Sequence, residues 1–253
     1  MINSTVHNEN DPALAILSEF IESDKHLLRA TSIMGLGIAY TASNREALKD
    51  LFLPIISDTT IDLQISGMAA VALGQIFVGQ GAKEDNEIAS TMLQTLMEME
   101  PEQLKSPWIK FYSLGLALLF FGKQDASDAI VETLKAIDHP IANEAVVMLT
   151  LCSFAGTGEV LRIQQMLRLC AEDPNTKVAT TEDKDKEEKK DEKKEGDKKD
   201  ASKGEFQQGL AVIAIAAIAM GEDVGKELCM RHFGHLVRSY NAIANDRCTL
   251  VNQ

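Results

Sequence analysis

The chain has 253 residues, of which 45% are apolar, and it carries a net charge of −13. This apolar fraction is ordinary for a folded globular protein. The acidic charge disfavours binding to phosphate backbones and to anionic lipid surfaces, and it favours basic protein partners. We therefore expect no nucleic-acid partner and no membrane partner.

The cysteines and the start of the chain indicate the compartment. Cys152, Cys170, Cys229 and Cys248 are far apart and form no CxxC pair, and the first residues, MINSTVHNENDP, lack the apolar region of a secretion signal. The longest uncharged apolar stretch, residues 209–220, is shorter than the roughly 20 residues that span a bilayer. These features predict a reducing, intracellular environment and no transmembrane segment.

One sequence phrase recurs five times along the chain: a small-residue-rich apolar helix, a Gly or Ala stop, a few polar residues, and an amphipathic helix. The apolar helices contain SIMGLGIAYTAS, MAAVALGQIFVG, FYSLGLALLFFG, AVVMLTLCSFAG and LAVIAIAAIAMG. The corresponding stops are Ala42, Gly79, Gly122, Gly156 and Gly221. Such internal repetition predicts a stacked array of similar units.

Small residues also recur inside the apolar helices, five positions before the stop. They are Gly37, Gly74, Ala117 and Ala216, and Leu151 is the exception. Because these helices are apolar nearly all round and rich in Gly and Ala, we expect them to pack closely on two sides and to form the inner layer of the array.

The second helix of each unit has a half-apolar pattern. In EIASTMLQTLMEME, the helical period predicts a buried stripe of Ile88, Ala89, Met92, Leu93, Leu96 and Met97. The solvent-facing stripe is predicted to hold Glu87, Ser90, Thr91, Gln94, Thr95 and Glu98. Asp11 and either Ser43 or Asn44 are placed as N-caps of two such helices. We therefore predict an all-α fold, an α-solenoid of helix-turn-helix units of about 35 to 40 residues with an amphipathic outer layer.

A charged run interrupts the last unit. Successive stops are 37, 43, 34 and 65 residues apart, and removing residues 173–204 restores the period. The run from Thr181 to Glu205 holds nine Lys and eleven acidic residues, so the rest of the chain carries most of the negative charge. We predict that this insertion is disordered, because it has almost no apolar side chains to bury.

The predicted organisation follows from this insertion. It comprises an N-terminal tail (1–10), a repeat array (11–172), a disordered charged insertion (173–204), a continuation of the array (205–240) and a divergent or truncated C-terminal tail (241–253).

Motifs of catalysis and cofactor binding are missing. The sequence contains no P-loop, dinucleotide fingerprint, HExxH or GxSxG element, and its GLG and GTG triplets lie at helix ends of the repeat pattern. Cys229, His232 and His235 are spaced so that they could face one side of a helix as metal ligands, but no fourth ligand accompanies them. We favour an ordinary, partly buried helix there, and we predict no catalytic residue, no metal and no cofactor.

The residues also carry a family resemblance. The Gly/Ala-rich units resemble proteasome/cyclosome repeats, and several phrases resemble a large non-ATPase subunit of the proteasome regulatory particle. These phrases are DPALAIL, GLGIAY, FLPIISDT, VLRIQQMLRLC, AVIAIAAIAMGEDVGKE and RHFGHLVRSY. A charged insert before the last repeat also matches the family pattern. The resemblance covers roughly residues 11–240, and the family would continue where this chain ends, so we expect a fragment or a truncated product.

The resemblance implies a function without enzymatic activity. In that family the repeats close into a toroid that acts as a scaffold on the proteasomal ATPase subunits, in the cytoplasm and nucleus. It also docks a deubiquitinase, ubiquitin and the ubiquitin-like domains of shuttle factors. Phrase matching places the receptor helix at Glu87 through Glu98. The implied binding residues are Leu14, Glu19, Glu46, Asp50, Glu87, Gln94 and Glu98.

Two other interpretations remain open at this point. The chain could be a purely structural repeat segment of a large assembly, whose acidic surface is only a solvated face. The second interpretation is an unrelated enzyme within a helical array, and the missing catalytic motifs argue against it.

Overall fold

The computed structural model of the protein describes residues 11–83, 86–171 and 197–234. Every regular element within these ranges is a helix, so the predicted all-α class is confirmed. The chain divides into two compact units, unit 1 (Met1–Gly156) and unit 2 (Thr157–Gln253).

The helices follow one another with short connections. In unit 1 they are α1 (Pro12–Ile21), α2 (His26–Ala39), α3 (Glu46–Ser57), α4 (Leu63–Ile76), α5 (Glu87–Glu98), α6 (Pro101–Leu104), α7 (Ile109–Leu119), a 3-10 helix (Gln124–Ser127), α8 (Asp128–Lys135) and α9 (Pro140–Ser153). In unit 2 they are α10 (Val160–Ala171), α11 (Asp197–Ala219) and α12, which covers residues 223–234. Among the described helices, none combines the length and the hydropathy of a membrane-spanning segment.

Unit 1 consists of two layers. The small-residue-rich helices pack in sequence, α2 on α4, α4 on α7 and α7 on α9, and they form the inner layer. The amphipathic helices α1, α3 and α8 each pack on a neighbouring inner helix, and α5 contacts both α3 and α7. Leu36, Leu73 and Leu116, one from each of the first three inner helices, are fully buried. The predicted alternation of inner and outer helices is therefore present in unit 1.

The five predicted stops share one backbone conformation. Ala42, Gly79, Gly122, Gly156 and Gly221 all have φ between 59° and 94°. This left-handed region ends a helix, and glycine enters it without the steric cost of a Cβ atom. Ala42 adopts it despite its methyl group. Positions within each unit are numbered below from this stop, so that position −4 lies four residues before it.

The first three stops are each tied to the next inner helix by a backbone hydrogen bond. The N–H groups of Ala42, Gly79 and Gly122 donate to position −4 of the following unit, namely to the carbonyls of Gln75 (2.9 Å), Leu118 (3.1 Å) and Cys152 (3.0 Å). A second bond runs from the residue two places after the stop to position −3 of the following unit. It joins Asn44 to Ile76, Gly81 to Leu119 and, in unit 2, Gly158 to Ile218. The units therefore repeat in their backbone hydrogen bonds as well as in their sequence.

Small residues allow the inner helices to approach closely. A methyl group added at Gly74 of α4 would lie only 2.7 Å from the Cα of Gly115 in α7, and one at Gly37 of α2 would lie 2.7 Å from the Cα of Ala72 in α4. In both pairs, position −5 of one unit meets position −7 of the next. The close packing predicted for Gly37 and Gly74 is therefore confirmed, whereas Ala216, at the same position of α11, is exposed among the described residues.

The N-cap predicted for α1 is confirmed in position, and the one predicted for α3 is wrong. Asp11 occupies the N-cap of α1 but makes no capping bond, and its carboxylate instead receives a hydrogen bond from Arg45 Nη1 at 2.6 Å. The N-cap of α3 is Arg45 rather than Ser43 or Asn44. Asn44 adopts a left-handed φ of 53°, whereas the extended backbone typical of an N-cap occurs one residue later, at Arg45. The Ser43 hydroxyl donates to the Tyr40 carbonyl instead.

In unit 2, α10 packs against α11. Helix α11 begins at Asp197, so residues 197–204, predicted to belong to the disordered insertion, are helical instead. They contain Lys and Ala, which are good helix formers, and no proline, so an existing helix can extend through them. The rest of the predicted insertion, 173–196, and both predicted tails, 1–10 and 241–253, lie outside the described residues.

Candidate functional site

The residues predicted to bind ubiquitin-like domains lie on three outer helices of unit 1. Leu14 and Glu19 are on α1, Glu46 and Asp50 on α3, and Glu87, Gln94 and Glu98 on α5. All except Leu14 are exposed, and Leu14 is half-buried. We call the six exposed residues, Glu19, Glu46, Asp50, Glu87, Gln94 and Glu98, the acidic outer face.

Helices α3 and α5 are joined across this face by a lysine that sequence reasoning missed. Lys49 Nζ lies 3.0 Å from Glu46 Oε2 and 3.3 Å from Glu87 Oε2. The carboxylates of Glu46 and, to a smaller degree, of Glu87 raise the pKa of the Lys49 ammonium. One positive charge therefore stands between two of the predicted binding carboxylates, and the local field is less negative than the composition of α5 suggests.

The C-terminal part of α5 presents a second polar pair. The side-chain amide of Gln94 donates a hydrogen bond of 2.8 Å to Glu98 Oε1, one helical turn later. This contact orients the Glu98 carboxylate on the exposed side of the helix. Asp50 on α3 contributes a further exposed carboxylate to the same face.

The two stripes of α5 are rotated slightly from the prediction. Ile88, Ala89, Met92, Leu93 and Leu96 are buried as expected. Met97, however, is 55% exposed, whereas Thr95, expected to face solvent, is 7% exposed. Thr95 can be buried because its hydroxyl donates to the Thr91 carbonyl at 2.8 Å. Met97 is consequently an exposed apolar side chain one helical turn from Gln94 and next to Glu98 in sequence.

Helix α1 is attached to the start of α3 by polar contacts. Arg45 pairs with Asp11 and lies over the Tyr40 ring, 4.7 Å from its centroid, and the Leu14 N–H donates to the Tyr40 hydroxyl at 3.2 Å. These contacts fix the N-terminal turn of α1, where Leu14 lies. Farther along α1, Ile16 and Phe20 are exposed apolar side chains near Glu19 in sequence.

A shallow groove borders the acidic outer face. It is lined by Glu46, Lys49 and Glu87 together with residues of the turn after α4 and the start of α5, Phe77, Gln80, Lys83, Asn86 and Ile88. Lys83 brings a second cation that the local sequence of α5 does not reveal. The groove is therefore of mixed charge.

The alternative metal site is not supported in the described residues. Cys229 is buried while His232 is exposed, so their side chains face different environments, and His235 lies outside the described ranges. Within those ranges no group of three or more His, Cys, Asp or Glu side chains could hold a metal ion.

Nearly the whole chain is similar in sequence to three proteasome regulatory subunits. The chain is 46% identical over 235 residues to the 26S proteasome regulatory subunit rpn1 of Schizosaccharomyces pombe, covering 93% of this chain and 24% of the relative. It is 40% identical over 240 residues to the subunit rpn-1 of Neurospora crassa, covering 94% of this chain and 24% of the relative. It is 35% identical over 241 residues to the 26S proteasome non-ATPase regulatory subunit 2 of Dictyostelium discoideum, covering 95% and 23%.

These similarities extend over nearly the whole chain, although no family model matches it. The chain spans about a quarter of the length of the curated relatives it matches. The chain therefore belongs to the family of the 26S proteasome regulatory subunits rpn1 and non-ATPase subunit 2, and it corresponds to a segment of them.

Proposed function

We propose that the chain is a non-catalytic scaffold segment of the proteasome regulatory particle that docks ubiquitin and the ubiquitin-like domains of shuttle factors. The docking surface is the acidic outer face together with the neighbouring Leu14. The observation that supports this proposal most directly is that α3 and α5 pack side by side and carry exposed carboxylates at Glu46, Asp50, Glu87 and Glu98.

The chemistry of this face suits a domain with an apolar patch inside a basic rim. The carboxylates attract the rim and orient the encounter, and an exposed apolar side chain is needed at the centre of the contact. Met97 offers such a side chain on the same exposed side of α5 as Gln94 and Glu98. It extends the predicted set of binding residues by one.

Lys49 moderates this attraction. Its ammonium already pairs with Glu46 and Glu87, so an incoming cation must compete for those carboxylates. Exposed ion pairs are each worth less than about 1 kcal/mol, which makes this exchange easy. Glu98 and Asp50 are expected to contribute more per charge than Glu87.

The test is an NMR titration of the full chain with isotope-labelled ubiquitin and, separately, with a labelled ubiquitin-like domain. We expect chemical-shift changes on the apolar patch of each. Replacing both Glu87→Arg and Glu98→Arg should weaken binding at least several-fold, because two attractive charges become repulsive.

A matched control carries the same charge change elsewhere on unit 1. Asp125 and Glu132 are exposed acids outside the acidic outer face, and Asp125→Arg with Glu132→Arg should leave the affinity unchanged. Circular dichroism of both double variants verifies that the fold is intact. Equal affinities of wild type and of the folded Glu87/Glu98 variant would refute this docking face.

The second candidate function is a purely structural repeat segment without its own ligand site. It is favoured by the cross-helix pairing of Lys49, which gives the acidic residues a role in holding α3 against α5. This alternative expects no shift in either titration. By resemblance, further partners of the scaffold are the proteasomal ATPase subunits and a deubiquitinase, in the cytoplasm and nucleus.

A further inference from the structure

Helix α1 begins without the cap that its N-cap residue would ordinarily provide. A carboxylate at an N-cap usually accepts the N–H group of the second or third helical residue. Asp11 makes no such bond, and its Oδ2 instead lies 2.6 Å from Arg45 Nη1. The N–H of Leu14, the third residue of α1, donates to the Tyr40 hydroxyl at 3.2 Å. Tyr40, at the end of α2, therefore caps α1, while the Asp11 carboxylate pairs with Arg45.

Arg45 occupies an equally unusual position at the N-cap of α3. Arginine is not a preferred N-cap residue, and a cation at the positive end of a helix dipole is unfavourable. The Asp11 carboxylate neutralises this charge, and the guanidinium also lies over the Tyr40 ring, 4.7 Å from its centroid. The three side chains therefore stabilise the connection between α1 and α3 at the cost of a standard cap on each helix.

The turn that carries Arg45 is itself fixed to the inner layer. The N–H of Ala42 donates to the Gln75 carbonyl at 2.9 Å. The N–H of Asn44 donates to the Ile76 carbonyl at 3.1 Å. Both acceptors belong to the C-terminal turn of α4, so Arg45 extends toward α1 from a backbone that the next unit holds in place.

Helix α1 depends on this connection for its position relative to α3. It packs on α2, whereas α3 packs on α4 and α5, and α1 and α3 have little direct contact among the described residues. The side chains of Asp11 and Arg45 are only 33% and 23% exposed, so water and salt screen their bond less than that of a fully exposed pair. The pair therefore connects the start of α1 directly to the start of α3.

This connection lies between the two helices that carry the first part of the docking surface. Leu14 belongs to the turn of α1 that Tyr40 caps, and Glu19 lies farther along the same helix. On α3, Glu46 follows Arg45 directly and Asp50 lies one turn later. A shift of α1 against α3 would therefore separate binding residues that must contact one partner at the same time.

We propose that Arg45 is a positioning residue of the docking surface, which holds α1 beside α3 so that the binding residues of both helices contact one partner together. The inference rests on the proposed docking of ubiquitin and ubiquitin-like domains. The charge of Arg45 by itself would act in the opposite direction, because a cation beside this surface repels the basic rim of such a partner. Loss of a merely repulsive charge strengthens binding, whereas loss of a positioning contact weakens it.

The test is an NMR titration of labelled ubiquitin with variants of the full chain. We expect Arg45→Gln to weaken binding at least threefold. Arg45→Lys, which keeps a cation within reach of Asp11, should bind within about twofold of wild type. Arg168→Gln is the matched control, because it makes the same charge change at an exposed arginine of α10, and it should leave the affinity unchanged. Circular dichroism verifies the fold of each variant.

Double variants show whether Arg45 acts through α1. When Leu14→Ala and Glu19→Gln have removed the contribution of α1, adding Arg45→Gln should have almost no further effect. Alongside Glu98→Gln on α5, Arg45→Gln should keep its full effect of threefold or more. A general loss of structure would instead weaken binding by the same factor in both backgrounds, and this result would overturn the positioning role.

Hydrogen exchange of the unbound chain tests the connection without a partner. The amides of α1 should exchange several-fold faster in Arg45→Gln than in wild type, because the helix loses its link to α3. Unchanged exchange in α1, or an Arg45→Gln chain that binds ubiquitin as tightly as wild type or more tightly, would overturn the positioning role and leave the docking function intact. A wild-type chain that binds no ubiquitin would refute the docking function, and this inference with it.

Discussion

Helices α4 and α11 differ in what surrounds them far more than in what they are made of. Positions −12, −9 and −5 are Gly, Ala and Gly in α4 and Gly, Val and Ala in α11. Both helices are followed by a stop glycine with a left-handed φ. In α4 these positions press against α7, whereas in α11 they face solvent among the described residues. The same repeat phrase therefore stands in two different surroundings, and only in α4 do the described residues include the helix that covers it.

The largest expected effect comes from enlarging the covered position. Gly74→Leu should lower the free energy of unfolding of unit 1 by about 1 to 3 kcal/mol, because the added side chain must displace the α7 backbone. Ala216→Leu, at the equivalent position of α11, should change the stability of the chain by less than about 0.5 kcal/mol. Urea denaturation at low protein concentration measures both. Equal losses would mean that the α11 position is as tightly packed as Gly74.

A buried thiol on α9 gives a pH-dependent measure of the covered inner layer. Burial raises the pKa of Cys152 from 9.0 to about 11. Because the folded pKa lies above the unfolded one, the associated stability is complete below about pH 9 and is lost as the pH rises toward 11. A pKa difference of one unit corresponds to about 1.4 kcal/mol, so the total loss is at most a few kcal/mol.

The measurement compares wild type with Cys152→Ala by urea denaturation between pH 8 and pH 11. The difference in stability between them should shrink as the pH rises through this window. Other groups that titrate there are common to both proteins and cancel. A constant difference would show that the thiolate forms as easily in the folded chain as in the unfolded one.

The next prediction concerns the stops that follow α7 and α11, Gly122 and Gly221, which should respond alike to substitution. A methyl group at Gly122 or at Gly221 meets no atom of the described residues within 4 Å, so the left-handed φ is the expected cost of substitution by alanine. We expect Gly122→Ala and Gly221→Ala each to lower the melting temperature by the equivalent of about 1 kcal/mol. Markedly different shifts in a thermal melt would indicate that one of these turns has neighbours beyond its own repeat.

Much of the fold could be predicted from the sequence because it repeats. The stops, the tight contacts at Gly37 and Gly74, and the two kinds of helix all follow from local residue type read at a constant period. The N-cap of α3 could not be predicted, because Asn44 belongs to the left-handed turn whose backbone is held by Ile76 of the next unit, and the helix starts one residue later. The start of α11 was missed for a related reason, since charge composition alone does not reveal whether an adjoining helix extends into a polar segment.

The candidate site was predictable in its exposure but less so in its electrostatics. The helical period placed Glu87, Gln94 and Glu98 on the solvent side of α5, where they lie. It could not reveal Lys49, because that cation comes from a helix almost forty residues earlier in the chain. Nor could it tell whether Thr95 or Met97 is buried, because these residues lie at opposite edges of the buried stripe. Packing against the neighbouring helices determines which of them is covered.

The hydrogen bonds from the stops to the following inner helices also affect how the molecule can come apart. A surface turn ordinarily opens alone, in a local fluctuation that leaves its neighbours folded. Here the amides of Gly79 and Gly122 are held by carbonyls of the next helix, so releasing the turn also removes bonds from the adjoining repeat. Each repeat thereby shares its opening energy with its neighbour, and melting is expected to spread along the array from its ends rather than to start at the turns in its middle.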